Sequence, residues 1–117
     1  MRKTLPALAL LLAAAAAHAD ADLKAVSKHG GTMIETADGT ILEVTGDTVY
    51  LYEHGGTPLA ATGASGRIVA SGGAAIALEA AGDNRLKLAQ ALPPGARAVI
   101  SIKLPGRAPI QTRLEGH

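Results

Sequence analysis

Two copies of one tetrapeptide hold the residues of this chain best suited to chemistry. His29-Gly30-Gly31-Thr32 recurs as His54-Gly55-Gly56-Thr57. Paired glycines let a backbone turn sharply and leave the neighbouring imidazole uncrowded. A neutral imidazole offers a ring lone pair. Two of them meeting at one end of a sheet would hold a borderline cation such as Cu(II), Zn(II) or Ni(II). Met33 follows the first copy directly. A thioether aimed at the same site would shift its preference toward Cu(I). The candidate metal ligands are therefore His29, His54 and Met33, with His117 a third imidazole at the chain end. The same tetrapeptide is also good turn sequence, so a structural role for both histidines stands beside the metal-binding one. The segment Asp20-Ala21-Asp22 has no histidine in third place and so lacks the amino-terminal copper motif.

Other chemistry finds little support. Gly63-Ala64-Ser65-Gly66-Arg67 has the wrong spacing for a nucleophile elbow, which needs G-x-S-x-G at a strand-to-helix turn. Neither a phosphate-cradling glycine signature nor an H-E-x-x-H helix motif occurs. The acids are spread about one per strand or turn, so no carboxylate pair for general acid–base work is proposed. The expectation is a protein that is not an enzyme. The chain has no cysteine, which rules out thiolate metal sites, covalent haem attachment and a supporting disulfide.

The elements that would position the histidines are short strands. Thr40 to Glu53 reads as a β-hairpin, with Leu42 and Val44, then Val49 and Leu51, alternating with polar and aromatic residues. Gly46-Asp47 between the runs is a two-residue turn pair, attributed to glycine's tolerance of positive φ. That loop sets Thr45 against Thr48, Val44 against Val49, Glu43 against Tyr50 and Leu42 against Leu51. The apolar pairs then share one face, and a one-residue slip would reverse it. Tyr50 and Tyr52, the only aromatics, leave the aliphatic face. They serve as cross-strand packing of Tyr50 beside Glu43, or as a contact surface.

Further strands are predicted over residues 32–36, 66–71, 74–80, 85–90, 98–104 and 110–114. They are separated by turn chemistry at Asp38-Gly39, Gly63 to Gly66, Gly72-Gly73, Gly82-Asp83-Asn84, Pro93-Pro94-Gly95 and Pro105-Gly106. Residues 74–80 are rich enough in alanine to admit a helix, but seven residues between glycine pairs favour a strand. About seven or eight short strands at this spacing predict an all-β fold. The expected form is an antiparallel, Ig-like β-sandwich, with a small β-barrel as the alternative.

Residues 1–19 read as an export signal: Arg2 and Lys3, an apolar run from Leu5 to Ala17, and Ala17-His18-Ala19 as the cleavage site. The run is shorter than the roughly 20 residues a membrane-spanning helix needs. A lead-in over 20–31 and one β domain over 32–117 follow. Removing the signal leaves nine Lys and Arg against ten Asp and Glu, a net charge of −1. Neither a nucleic-acid surface nor a polybasic membrane patch is indicated, and no membrane insertion is expected after cleavage. With no Phe or Trp, the core must be built from Ile, Leu, Val and Ala.

Several of these pieces together resemble a known group. His29-Gly30-Gly31, Val49 to Tyr52, His54 to Pro58, Gly63 to Gly66 and Ala81 to Leu86 are similar to stretches of small exported bacterial HGG-type proteins. They are also similar to the N-terminal accessory region of periplasmic heavy-metal efflux adaptor subunits. The resemblance implies a β-sandwich in the periplasm and a link to metal handling. The chain lacks the coiled-coil, lipoyl-like and barrel regions of a full adaptor.

The expected function is a periplasmic, non-enzymatic accessory in metal tolerance or efflux. It would bind a copper or zinc ion and partner a metal-efflux component or another periplasmic protein. The alternative is a periplasmic interaction or structural module without metal.

Overall fold

Eight strands follow one another along the chain: β1 (Thr32–Glu35), β2 (Ile41–Val44), β3 (Thr48–Tyr52), β4 (Ser65–Ala70), β5 (Ala75–Ala80), β6 (Arg85–Leu88), β7 (Ala98–Lys103) and β8 (Ile110–Leu114). The structure is a computed structural model that describes residues 27–115. The expected export signal, His117 and most of the lead-in lie outside the described residues. No helix occurs among the described residues, and the alanine-rich stretch is strand β5.

All neighbouring strands run antiparallel in one nearly closed sheet, in the order β1-β2-β3-β6-β5-β4-β7-β8. The fold is therefore all-β with eight strands, and its arrangement is that of the small barrel. The expected Ig-like sandwich is corrected here, because it needs two separate facing sheets. Here β6 joins what would be two halves, pairing with β5 on one side and with β3 on the other. The β3–β6 ladder sets Val49 against Leu86 and Tyr50 against Arg85. Turn signals mark where each strand ends but not which distant strand it meets, so this long-range pairing left no local trace.

The central hairpin has the predicted register, with Leu42 opposite Leu51, Glu43 opposite Tyr50 and Val44 opposite Val49. Its turn differs from the expectation. Neither Gly46 nor Asp47 adopts positive φ. The turn is closed instead by Thr45: its N–H donates to the Thr48 carbonyl at 2.9 Å, and its hydroxyl oxygen accepts from the Thr48 N–H at 3.1 Å. Gly46 is held from outside as well, its carbonyl accepting from the Leu92 N–H.

The main core is aliphatic. Leu42, Val49, Leu51, Ile68, Leu86 and Ile100 are fully buried, and Leu78, Leu88, Ile102, Ile110 and Leu114 join them in one cluster. Each such side chain contributes about 1.5–3 kcal/mol by leaving water. β2 departs from simple alternation, because Ile41 and Glu43 are as buried as Leu42 and Val44. Both faces of β2 are covered, and what covers the second face is the site described next.

Candidate functional site

Alternation places Met33 and Glu35 of β1, Ile41 and Glu43 of β2, and Tyr50 and Tyr52 of β3 on the face away from the main core. Ile41 and Tyr52 form a second, small apolar cluster there, with Met33 and Tyr50 packed against it. The end of the lead-in folds over this face. His29 lies flat on Tyr50, with ring centroids 3.6 Å apart and planes within 5° of parallel.

At the centre is Glu43, whose carboxylate is completely buried. Oε2 accepts from the backbone N–H groups of His29 and Gly31, both at 2.9 Å, and from the Ser27 hydroxyl at 3.3 Å. Oε1 accepts from the Tyr52 phenol at 2.9 Å, the His29 ring at 3.1 Å and the Lys28 N–H at 3.3 Å. A buried carboxylate is tolerable only when its lone pairs are filled in this way. Burial by itself would push the Glu43 carboxyl up. The Gly31 N–H, the His29 ring and backbone N–H, and the Tyr52 hydroxyl outweigh it and hold the group down at about 2. Burial, and the Glu43 charge beside it, push the Tyr52 phenol up, so it remains a donor.

The first HGG copy is thus a carboxylate-binding loop. Gly30 takes positive φ (71°) and turns the chain so that the N–H groups on either side of it point at Glu43. Gly31 has no room for a side chain: a Cβ there would stand 2.7 Å from the Val44 carbonyl oxygen and 2.9 Å from Glu43 Cγ. The second copy does something else. Gly56, with φ 97°, closes a turn in which its N–H donates to the Glu53 carbonyl and Glu53 N–H donates to the Thr57 carbonyl. Pro58 then bridges back to Tyr52. One tetrapeptide serves as a latch in one place and as a plain turn in the other.

His29 and His54 each have their own carboxylate. His29 Nδ1 meets Glu43, whereas His54 Nδ1 meets Glu35 Oε2 at 2.8 Å. The two carboxylates belong to neighbouring strands and sit one pleat apart, Glu43 opposite Met33 and Glu35 opposite Ile41. An ionised carboxylate only accepts, so in both pairs Nδ1 carries the proton and a neutral ring keeps its lone pair on Nε2. The His54 side chain is 72% exposed and that of His29 39%. Met33 is half-buried against Ile41 and Tyr52. Among the described residues no three His, Asp or Glu side chains form a group that could hold a metal ion. The sequence marked both histidines but missed their partners. Glu35 and Glu43 sit in strands where an alternating acid normally faces water, and only the loop folded over β2 distinguishes Glu43.

The His54–Glu35 pair is solvent-open and worth little to folding. His54→Ala is expected to change stability by less than about 0.5 kcal/mol in urea denaturation, because exposed substitutions of this kind are near neutral. His29→Ala removes a stacked ring and a donor to a buried carboxylate. It should cost about 1–2 kcal/mol in the same measurement.

No protein-family model, curated protein or solved structure matches this chain.

Proposed function

We propose that this protein is an exported, periplasmic, non-enzymatic accessory that takes up a copper or zinc ion weakly through exposed imidazoles, His54 foremost and His29 second. The observation that carries this reading is the pairing of each Nδ1 with a carboxylate. A metal-ligating histidine typically donates its other ring N–H to a carboxylate, which fixes the tautomer and raises the basicity of the ligating nitrogen. Both Nδ1 atoms are paired in this manner, so each neutral ring would offer Nε2 to an ion. An ion held by one imidazole keeps most of its positions open for water or for ligands from another protein. That suits transfer in metal tolerance or efflux better than storage. Met33 is packed beside Tyr52 and Ile41, so it supports the site through packing rather than as a first ligand.

Amide NMR of Asp20–His117 titrated with Zn(II), Cu(II) and, under reducing conditions, Cu(I) tests this reading. Saturable shifts centred on residues 54 and 35 that vanish in His54→Ala are the expected result. Spectra that stay flat, or diffuse shifts unchanged in a His29→Ala/His54→Ala variant, would sink it.

The second reading is an interaction module without metal. What favours it is that the Glu43 centre is fully occupied in holding the lead-in, which gives the first histidine a purely structural task. A protein recovered with a bound partner and indifferent to metal chelation would support it.

A further inference from the structure

The net charge of the chain conceals a segregation that the fold creates. Strands β1, β2 and β3 carry Glu35 and Glu43 and no Lys or Arg. Strands β4, β7 and β8 carry Arg67, Lys103 and Arg113 and no Asp or Glu. Because β4 pairs with β7 and β7 with β8, these cations gather on adjacent strands although they are far apart in sequence.

Register places them on one face. The inward positions of β4 and β7 are taken by Ile68, Ile100 and Ile102, which are buried, so Arg67, Val69, Val99, Ser101 and Lys103 point outward. Val69 lies opposite Val99, and Val99 opposite Arg113; Arg67 lies opposite Ser101, and Ser101 opposite Gln111; Ser65 lies opposite Lys103. Exposed Arg97 immediately precedes β7 and adds a fourth cation. Strands lie about 4.8 Å apart and rise about 3.3 Å per residue, so the four cations cover a patch of roughly 10 by 20 Å. None of the four enters an ion pair among the described residues, whereas Lys87 and Arg107 do. Two acids, Glu79 and Glu115, lie at the margin. Glu79 is on β5, opposite Ser65 and Lys87, and Glu115 follows β8.

Shape and polarity narrow the partner. Several other outward residues of this face are small, including Ala75, Ala77, Ser65 and Ser101, so little side-chain bulk stands between the cations. Two shallow depressions of about 470 and 460 Å³ indent it, one lined by Arg97 and Arg113 with Glu115 at its edge, the other by Arg67 and Lys103. Val69, the exposed large hydrophobic residue of the described chain, sits among these cations. A two-dimensional spread of cations around an apolar centre matches a plane of phosphates over hydrocarbon. A line of carboxylates on an extended peptide would match it less well. Arginine, three of the four cations, is the side chain best shaped for phosphate oxygens.

We propose that the outer face of β4, β7 and β8 is a peripheral docking surface for the anionic headgroups of a lipid bilayer. It rests on the bilayer surface without inserting, and it is independent of the metal reading.

Sedimentation of the full chain with lipid vesicles tests the proposal. Binding is expected to vesicles containing phosphatidylglycerol and not to pure phosphatidylcholine, and to weaken with added salt. Each cation removed should weaken binding about fivefold. The Arg67→Gln/Arg113→Gln variant should therefore bind measurably less, and Arg67→Glu/Lys103→Glu/Arg113→Glu should not bind. Arg85→Glu, outside the patch, should bind like the parent chain. Circular dichroism verifies that each variant is folded. Equal binding to both vesicle types, or binding that survives the triple reversal, would overturn the proposal and assign the affinity to the apolar run near the N-terminus. Retention on immobilised polyglutamate without vesicle binding would overturn it in favour of an acidic protein partner. Binding to neither would overturn it outright.

Discussion

Glu43→Ala is expected to cost about 3–5 kcal/mol, the range for breaking one side of a buried charged network. The substitution strands the Tyr52 phenol and the N–H groups of His29 and Gly31, all of which donate to the carboxylate. It also frees the lead-in from the β1–β3 face, so His29 loses its stack on Tyr50. Glu43→Gln keeps the shape but presents an amide NH2 group to donors that need an acceptor, and should cost about 2–3 kcal/mol. Urea denaturation of the two variants beside the parent measures both effects. A loss below about 1 kcal/mol for Glu43→Ala, the size of one ordinary hydrogen bond, would show that the carboxylate is not the centre of this face.

The same residue contributes to the acid sensitivity of the fold. Its carboxyl is held down at about 2 in the folded chain, against an ordinary value of 4.5. A group depressed on folding contributes stability that is fully present above its unfolded value and is lost as pH falls toward the folded one. Stability should therefore hold above about pH 5 and drop between 4.5 and about 2. In Glu43→Gln that part of the acid slope should disappear. Thermal denaturation at a series of pH values reads both curves, and parallel slopes would refute the linkage.

Gly66→Ala is the second large effect. Gly66 lies within β4 opposite Ile102, and its φ is not positive. Space is what demands glycine here. A Cβ would fall on the Ser101 carbonyl oxygen and 3.2 Å from Ile102 Cα. Backbone atoms of a paired strand cannot move aside as a side chain does. One methyl group must therefore push β7 away from β4 or break their ladder. The expected loss is about 3–5 kcal/mol, at the upper end of overpacking effects because the clash is with backbone. Gly55→Ala is the matched control, since nothing lies within 4 Å of its Cβ position and its φ is not positive. It should change stability by no more than about 0.5 kcal/mol. Chemical denaturation of the pair decides the matter, and equal midpoints would exclude the close strand approach.

Gly66 also marks where sequence reasoning stops. The sequence places it where the Gly63–Gly66 turn meets the predicted strand over 66–71, and its glycine reads as turn chemistry, yet the structure uses it for close strand approach. Both readings predict glycine, and only the neighbour across the ladder separates them. The two HGG copies teach the same lesson. Their identical residues were legible as turn chemistry, but one turn closes on itself and the other closes on Glu43.

The local pattern by itself determined the all-β class, the positions of all eight strands to within about two residues, and the register of the β2–β3 hairpin. Those features depend on alternation and on nearby breakers, which act over a few residues. Tertiary structure alone decided that β6 joins β3, that the sheet is nearly closed, and that the second face of β2 is covered. It also decided that Glu43 is buried with six donors and that the cations of β4, β7 and β8 converge. Each of these depends on which distant strands become neighbours. That choice is settled by packing over the whole chain, and a carboxylate's fate follows from what the chain folds over it.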